Sequence, residues 1–124
     1  MNFHLSFCTL KTKKMNWIKL KDEAALEAIK IRSTKQPQVI FKHSTRCSIS
    51  SMIKNRLEKA QAPEELSFHF LDLIACRSLS DKISVEFLVE HESPQVLLIK
   101  NGECIYDESH NGIVMEGIIE KANL

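Results

Sequence analysis

The apolar and polar residues of this chain change period several times, and each change marks an element. Val39-Ile40-Phe41 is a compact run of β-branched and aromatic side chains behind Pro37, and it predicts a buried strand over 38–43. After Cys47 the period becomes helical. Ile49, Met52, Ile53, Leu57 and Ala60 share one face and predict a helix over 47–61, ended by Gln61-Ala62-Pro63. Upstream, Trp17-Ile18-Lys19-Leu20 reads as a short first strand. Asp22 is placed to cap a helix over Glu23–Arg32 whose Ala25, Leu26 and Ile29 face inward. Ser67–Leu73, with Phe68, Phe70, Leu71 and Leu73, suits another buried strand. A helix follows from Ser78 or Ser80, with Leu79, Ile83 and Phe87 on one face, and ends near Val89–His91. Val96–Ile99 is a central strand, and Asn101-Gly102 signals a type I′ hairpin. Glu103–Asp107 returns as an edge strand. Val114–Ala122 is the last helix, with Met115, Ile118 and Ile119 as its stripe.

The predicted order is β-α-β-α-β-α-β-β-α. Strands alternating with helices imply parallel pairing with helices on both faces, and the closing hairpin adds antiparallel edges to a mixed α/β sheet. One domain over residues 15–124 is expected, long enough for a real core. Residues 1–14 are expected to be a disordered extension. Their apolar Phe3, Leu5, Phe7 and Leu10 are followed, not preceded, by Lys11, Lys13 and Lys14, the wrong order for a secretory signal. The net charge of +1 argues against a nucleic-acid or membrane-surface role. No apolar window of about 18 residues predicts a transmembrane helix.

Cysteine use sharpens the picture. Cys8, Cys47, Cys76 and Cys104 are far apart, none in a C-x-x-C pair, which argues against a structural metal site and against a disulfide scaffold. A reduced, cytoplasmic setting is expected. Cys47 stands at the first turn of a helix directly after a strand. There the backbone N–H groups lack partners and the helix dipole is positive, which favours a thiolate. Arg46 beside it, with Lys42 and Lys54 nearby, adds positive potential. Three residues on, where a second thiol would complete a dithiol, stands Ser50. The plainer reading of any free cysteine is a small buried apolar residue; strand, turn, helix start and basic neighbours favour a reactive one.

The element order is that of thioredoxin-like proteins, and the resemblance covers residues 16–124. It rests on Cys47 at the start of the second helix, Ser93-Pro94 before the fourth strand, and the hairpin after it. A proline at the mouth of a central strand is unusual because it cannot donate to the ladder. The resemblance implies a cis Pro94 against the active cysteine, with Ser93 and Pro94 offering backbone to an extended substrate. More narrowly, Phe41-Lys42-His43-Ser44 followed by Arg46-Cys47-Ser48-Ile49-Ser50 resembles the active-site segment of the YtxJ-like monothiol bacilliredoxin family. A proline is usual there where this chain has Ser48. Ser109-His110 near the carboxy terminus also fits. Membership would imply removal of a low-molecular-weight thiol such as bacillithiol from mixed disulfides on cytoplasmic client proteins.

In such chemistry Cys47 is the catalytic nucleophile. Ser50 and Ser44 are expected to donate hydrogen bonds to its thiolate, and His43 reads either as a cation that stabilises it further or as a solvated polar residue at the strand end. Lys42 and Arg46 are placed either to attract a carboxylate-bearing thiol or as plain surface charges. Cys76, after the third strand, is the candidate resolving thiol, with an ordinary loop or buried thiol as the alternative. His69, His91 and His110 read as surface or loop residues, and Glu58 as part of a solvated helix face. No tightly bound cofactor and no metal are expected. The partners are a small thiol as co-substrate, client proteins and a disulfide reductase. Two other functions stay open: a monothiol-glutaredoxin-like iron–sulfur carrier, although Cys-Gly-Phe-Ser is absent, and a non-catalytic adaptor on a thioredoxin scaffold.

Overall fold

The computed structural model describes residues 11–124. Within these residues seven strands and four α-helices follow one another. They are β1 (Thr12–Lys13), β2 (Trp17–Lys19), α1 (Glu23–Arg32), β3 (Gln38–His43), α2 (Ser48–Ala60), β4 (Ala62–Pro63), β5 (Ser67–Asp72), α3 (Arg77–Glu86), β6 (Gln95–Lys100), β7 (Glu103–Ser109) and α4 (Met115–Lys121). The main sheet has the order β2-β5-β3-β6-β7. β2, β5 and β3 run parallel, while β6 and β7 are antiparallel to their neighbours. The sheet is therefore mixed, the thioredoxin-like α/β arrangement.

Alternation along the strands divides the core into two layers. Val39 and Phe41 of β3 pack with Phe68, Val96 and Leu98 against Ile53 and Leu57 of α2 and Met115 and Ile118 of α4. Ile40 points the other way, with Leu71, Leu97 and Ile99, onto Leu26 and Ile29 of α1, Leu79 and Ile83 of α3, and Phe87 just after it. Every residue of β3 is buried, which is why its middle, Val39-Ile40-Phe41, is a continuous apolar run rather than an alternating one. Each such side chain contributes about 1.5–3 kcal/mol of burial, so β3 is the firmest support available to whatever follows it.

Local signals explain the element ends. Asp22 Oδ1 accepts from the Ala25 N–H at 2.8 Å and caps α1. Lys30 near the end of α1 pairs with Glu86 of α3 and ties the two helices together. Asn101 and Gly102 both have positive φ, 54° and 78°, as a type I′ turn demands. β7 continues past Asp107 because Ser109 still pairs with Gln95.

Several expectations need correction. Thr12–Lys13, assigned to the disordered extension, pairs antiparallel with Ala62–Pro63. Residues 1–10, the rest of that extension, lie outside the described residues. α3 begins at Arg77 and stops at Glu86, short of Val89–His91, and Leu88 then turns the chain with a φ of 57°. His69, read as a surface or loop residue, is buried on β5, where its Nε2 meets Gln38 Oε1 at 2.8 Å. Among the described residues no helix is long and apolar enough to cross a membrane.

Candidate active site

β3 ends at His43, and a three-residue turn delivers Cys47 to the start of α2. The Cys47 N–H donates to the Ser44 carbonyl at 3.2 Å, closing that turn. Cys47 is itself the N-cap residue, with φ −112° and ψ 118°, and its carbonyl accepts from the Ser51 N–H at 3.2 Å. Its side chain makes no capping hydrogen bond; the thiol is free and half-buried. The first-turn N–H groups of Ser48, Ile49 and Ser50 have no acceptor within the helix, so the sulfur sits at the positive end of the α2 dipole. Arg46 is exposed beside it.

Ser50 is fully buried and its hydroxyl is already engaged. Its Oγ lies 2.7 Å from His43 Nδ1 and accepts from the Ser44 N–H at 3.1 Å. Ser44 Oγ in turn accepts from the Arg46 N–H at 3.4 Å. The two serines thus brace the turn around Cys47, rather than aiming their hydroxyls at the sulfur as the sequence reading had them. The cationic form of His43 is also disfavoured. The ring is buried against Phe41 and Phe70. Burial first, then the Lys54 ammonium, push its pKa below the ordinary imidazole value. A neutral ring can take the Ser50 O–H at Nδ1.

Glu58 is not a plain solvated residue either. It accepts from Trp17 Nε1 and from Lys54 Nζ, both at 2.7 Å, and these partners hold its carboxyl below the usual range. Lys54 lies 5.8 Å from the Phe70 ring centre.

The Ser93–Pro94 peptide bond is cis. In the antiparallel ladder Lys42 faces Gln95, so Pro94 stands one step beyond, level with His43. The Pro94 carbonyl accepts from the His110 N–H at 3.0 Å. Ser93 carries no backbone hydrogen bond among the described residues, and its buried Oγ has no partner there either.

Lys42 is the largest correction at the site. It is 0% exposed, and alternation sends it to the α1/α3 side of the sheet, away from α2. Its Nζ donates to the Ser80 carbonyl at 3.2 Å and meets Ser84 Oγ at 3.2 Å and His91 Nδ1 at 3.3 Å. It cannot reach an incoming substrate. Cys76 caps α3 on the active-site end of the sheet, its N–H bonded to the carbonyl of Asp72, and Asp72 pairs with His43. Its thiol is free and half-buried. Cys104, on β7, is also free, and burial pushes its pKa up.

Sequence reasoning missed Gln95 and His91, which hold the loop before Pro94. It also missed Arg56, whose Nη2 donates to the Asn111 and Ile113 carbonyls at 3.1 and 2.8 Å. A signal existed for Gln95: it is a polar residue directly before the apolar run Val96–Ile99.

Known proteins share this fold. A candidate oxidoreductase with a thioredoxin fold superimposes with a TM-score of 0.72 at 26% identity, over 85% of this chain and 92% of that one. Schistosoma mansoni thioredoxin gives 0.68 at 18% identity, over 87% and 94% of the two chains. Thioredoxin from Trypanosoma brucei brucei gives 0.69 at 14% identity, over 92% and 94%. The last two speak for the fold alone. The model of the family described as monothiol bacilliredoxin BrxC matches residues 18–118. That match takes in β3, the Cys47 turn, Pro94 and the hairpin alike, and on its strength the chain belongs to the monothiol bacilliredoxin family and is a thiol oxidoreductase.

Proposed function

We propose that this protein removes a low-molecular-weight thiol, bacillithiol or a close analogue, from mixed disulfides on client proteins of the cytoplasm. The observation that carries the reading is Cys47 at the α2 N-cap with the buried Ser50 where a resolving thiol would stand. The Cys47 thiolate attacks the small-thiol sulfur of client–S–S–R. That S–S bond breaks, the client leaves as a thiolate and takes a proton from water, and Cys47–S–S–R forms. Ser50 offers no thiol to displace R. A second small thiolate therefore attacks the R sulfur, regenerating Cys47 and releasing the symmetrical disulfide to a separate disulfide reductase. No metal or tightly bound cofactor enters these steps.

The first-turn amides of α2 and exposed Arg46 favour negative charge on the sulfur that attacks and later leaves. Ser93 and Pro94, level with His43, are the docking backbone. An extended client segment can pair with the unoccupied Ser93 main chain. The test is release of a labelled small thiol from a client mixed disulfide, followed by mass spectrometry. Cys47→Ser should abolish release while leaving the fold intact. Release by that variant at the wild-type rate would sink the reading.

A further inference from the structure

Two buried polar side chains, neighbours on adjacent strands, reach the same loop. Lys42 of β3 and Gln95 of β6 are paired in the ladder and both are 0% exposed. Lys42 Nζ meets His91 Nδ1 at 3.3 Å. Gln95 Nε2 donates to the Glu90 carbonyl at 2.9 Å, and Gln95 Oε1 accepts from the Glu92 N–H at 3.4 Å. Three consecutive residues, Glu90, His91 and Glu92, are thereby fixed to the sheet directly before Ser93. The loop belongs to no helix or strand, so these bonds stand in for a ladder. On its other side Lys42 is anchored to α3 through the Ser80 carbonyl and Ser84 Oγ, both at 3.2 Å.

A buried ammonium is a costly way to fill this space. Desolvation pulls the Lys42 pKa down to about 8, with Asp81 opposing, and a methionine would fit without that penalty. The lysine therefore calls for a role other than packing. We propose that Lys42 and Gln95 are positioning residues that hold the Glu90–Glu92 loop, and through it the docking backbone of Ser93, at a fixed height beside Cys47. This rests on the docking role given above to Ser93–Pro94. An extended client pairs with Ser93 only if that backbone is already in place, and ordering a loose loop on binding would weaken association. The reaction of Cys47 with a small disulfide needs no such pairing.

Two variants and two readouts decide it. Lys42→Met removes the amine with little change of volume, and His91→Ala removes the loop end while leaving the lysine. Amide hydrogen exchange of the peptide spanning Leu88–Ser93 should quicken by about tenfold in both. KM for a protein mixed disulfide should rise about threefold or more, with kcat and the rate toward a small aromatic disulfide unchanged. Unchanged exchange in both variants overturns the clasp. Faster exchange with an unaltered KM leaves a structural tie only and overturns the positioning role. Pro94→Ala tests the docking reading separately. No KM change there sinks that reading, whereas a change there with none in Lys42→Met sinks only the clasp.

Discussion

His43 and Ser50 are joined by a 2.7 Å hydrogen bond that bridges the end of β3 and the first turn of α2, with Cys47 in the turn between them. The bond is wholly buried, and the same Ser50 Oγ accepts from the Ser44 N–H. One hydroxyl therefore fixes both sides of the turn that presents the nucleophile. The residue that replaces a resolving thiol is a structural brace.

Ser50→Ala should lower stability by about 1–3 kcal/mol, because His43 Nδ1 and the Ser44 N–H would both lose their partner without access to water. Thermal unfolding measures this. Cys47 reactivity should fall by a smaller factor, since the thiol itself is untouched. A Ser50→Ala protein as stable as the wild type would show that the turn is held by other means.

Much of this architecture is legible in the sequence, and the reasons differ by element. Glu23–Arg32 is readable because Asp22 caps it locally, and the hairpin because only residues such as Asn101 and Gly102 accept positive φ at both turn positions. Cys47 is placed by the switch from strand to helix period. What escaped the reading depends on partners far along the chain. Lys42 reads as a surface charge until β3 is seen to be covered on both faces; its alternation with Ile40 was the available clue. His43 reads as a cation until Phe41 and Phe70 close around it. The β1–β4 pair is two residues long and has no hydrophobic pattern to find.

The three described thiols should differ in reactivity. Cys47 is at a helix start with an unencumbered sulfur, whereas Cys104 is held back by burial. Brief iodoacetamide treatment at neutral pH, read by peptide mass spectrometry, should label Cys47 first and Cys104 last. One equivalent of oxidant with a small thiol present should then leave Cys47 as a mixed disulfide. A dominant Cys47–Cys76 peptide would show that the chain resolves its own intermediate, and faster labelling of Cys104 would put the nucleophile elsewhere.

Acid should destabilise the protein through its buried imidazoles. Desolvation, with Arg32 adding, lowers His69 from 6.5 to about 4, and His43 and His91 are lowered in the same direction, chiefly by burial. The sign follows from proton binding. Between the folded and unfolded values the unfolded chain holds the proton more tightly, so stability falls as pH drops. The loss through His69 begins near pH 6.5 and is mostly spent by pH 4, and it amounts to roughly 3 kcal/mol. His69→Gln keeps a donor for Gln38 Oε1 and removes the titration. Urea unfolding at pH 7 should place this variant within about 1 kcal/mol of the wild type. At pH 4 it should be the more stable of the two, with the residual acid loss left to His43, His91 and the carboxylates. Parallel losses in the two proteins across that range would show that His69 is not the group responsible.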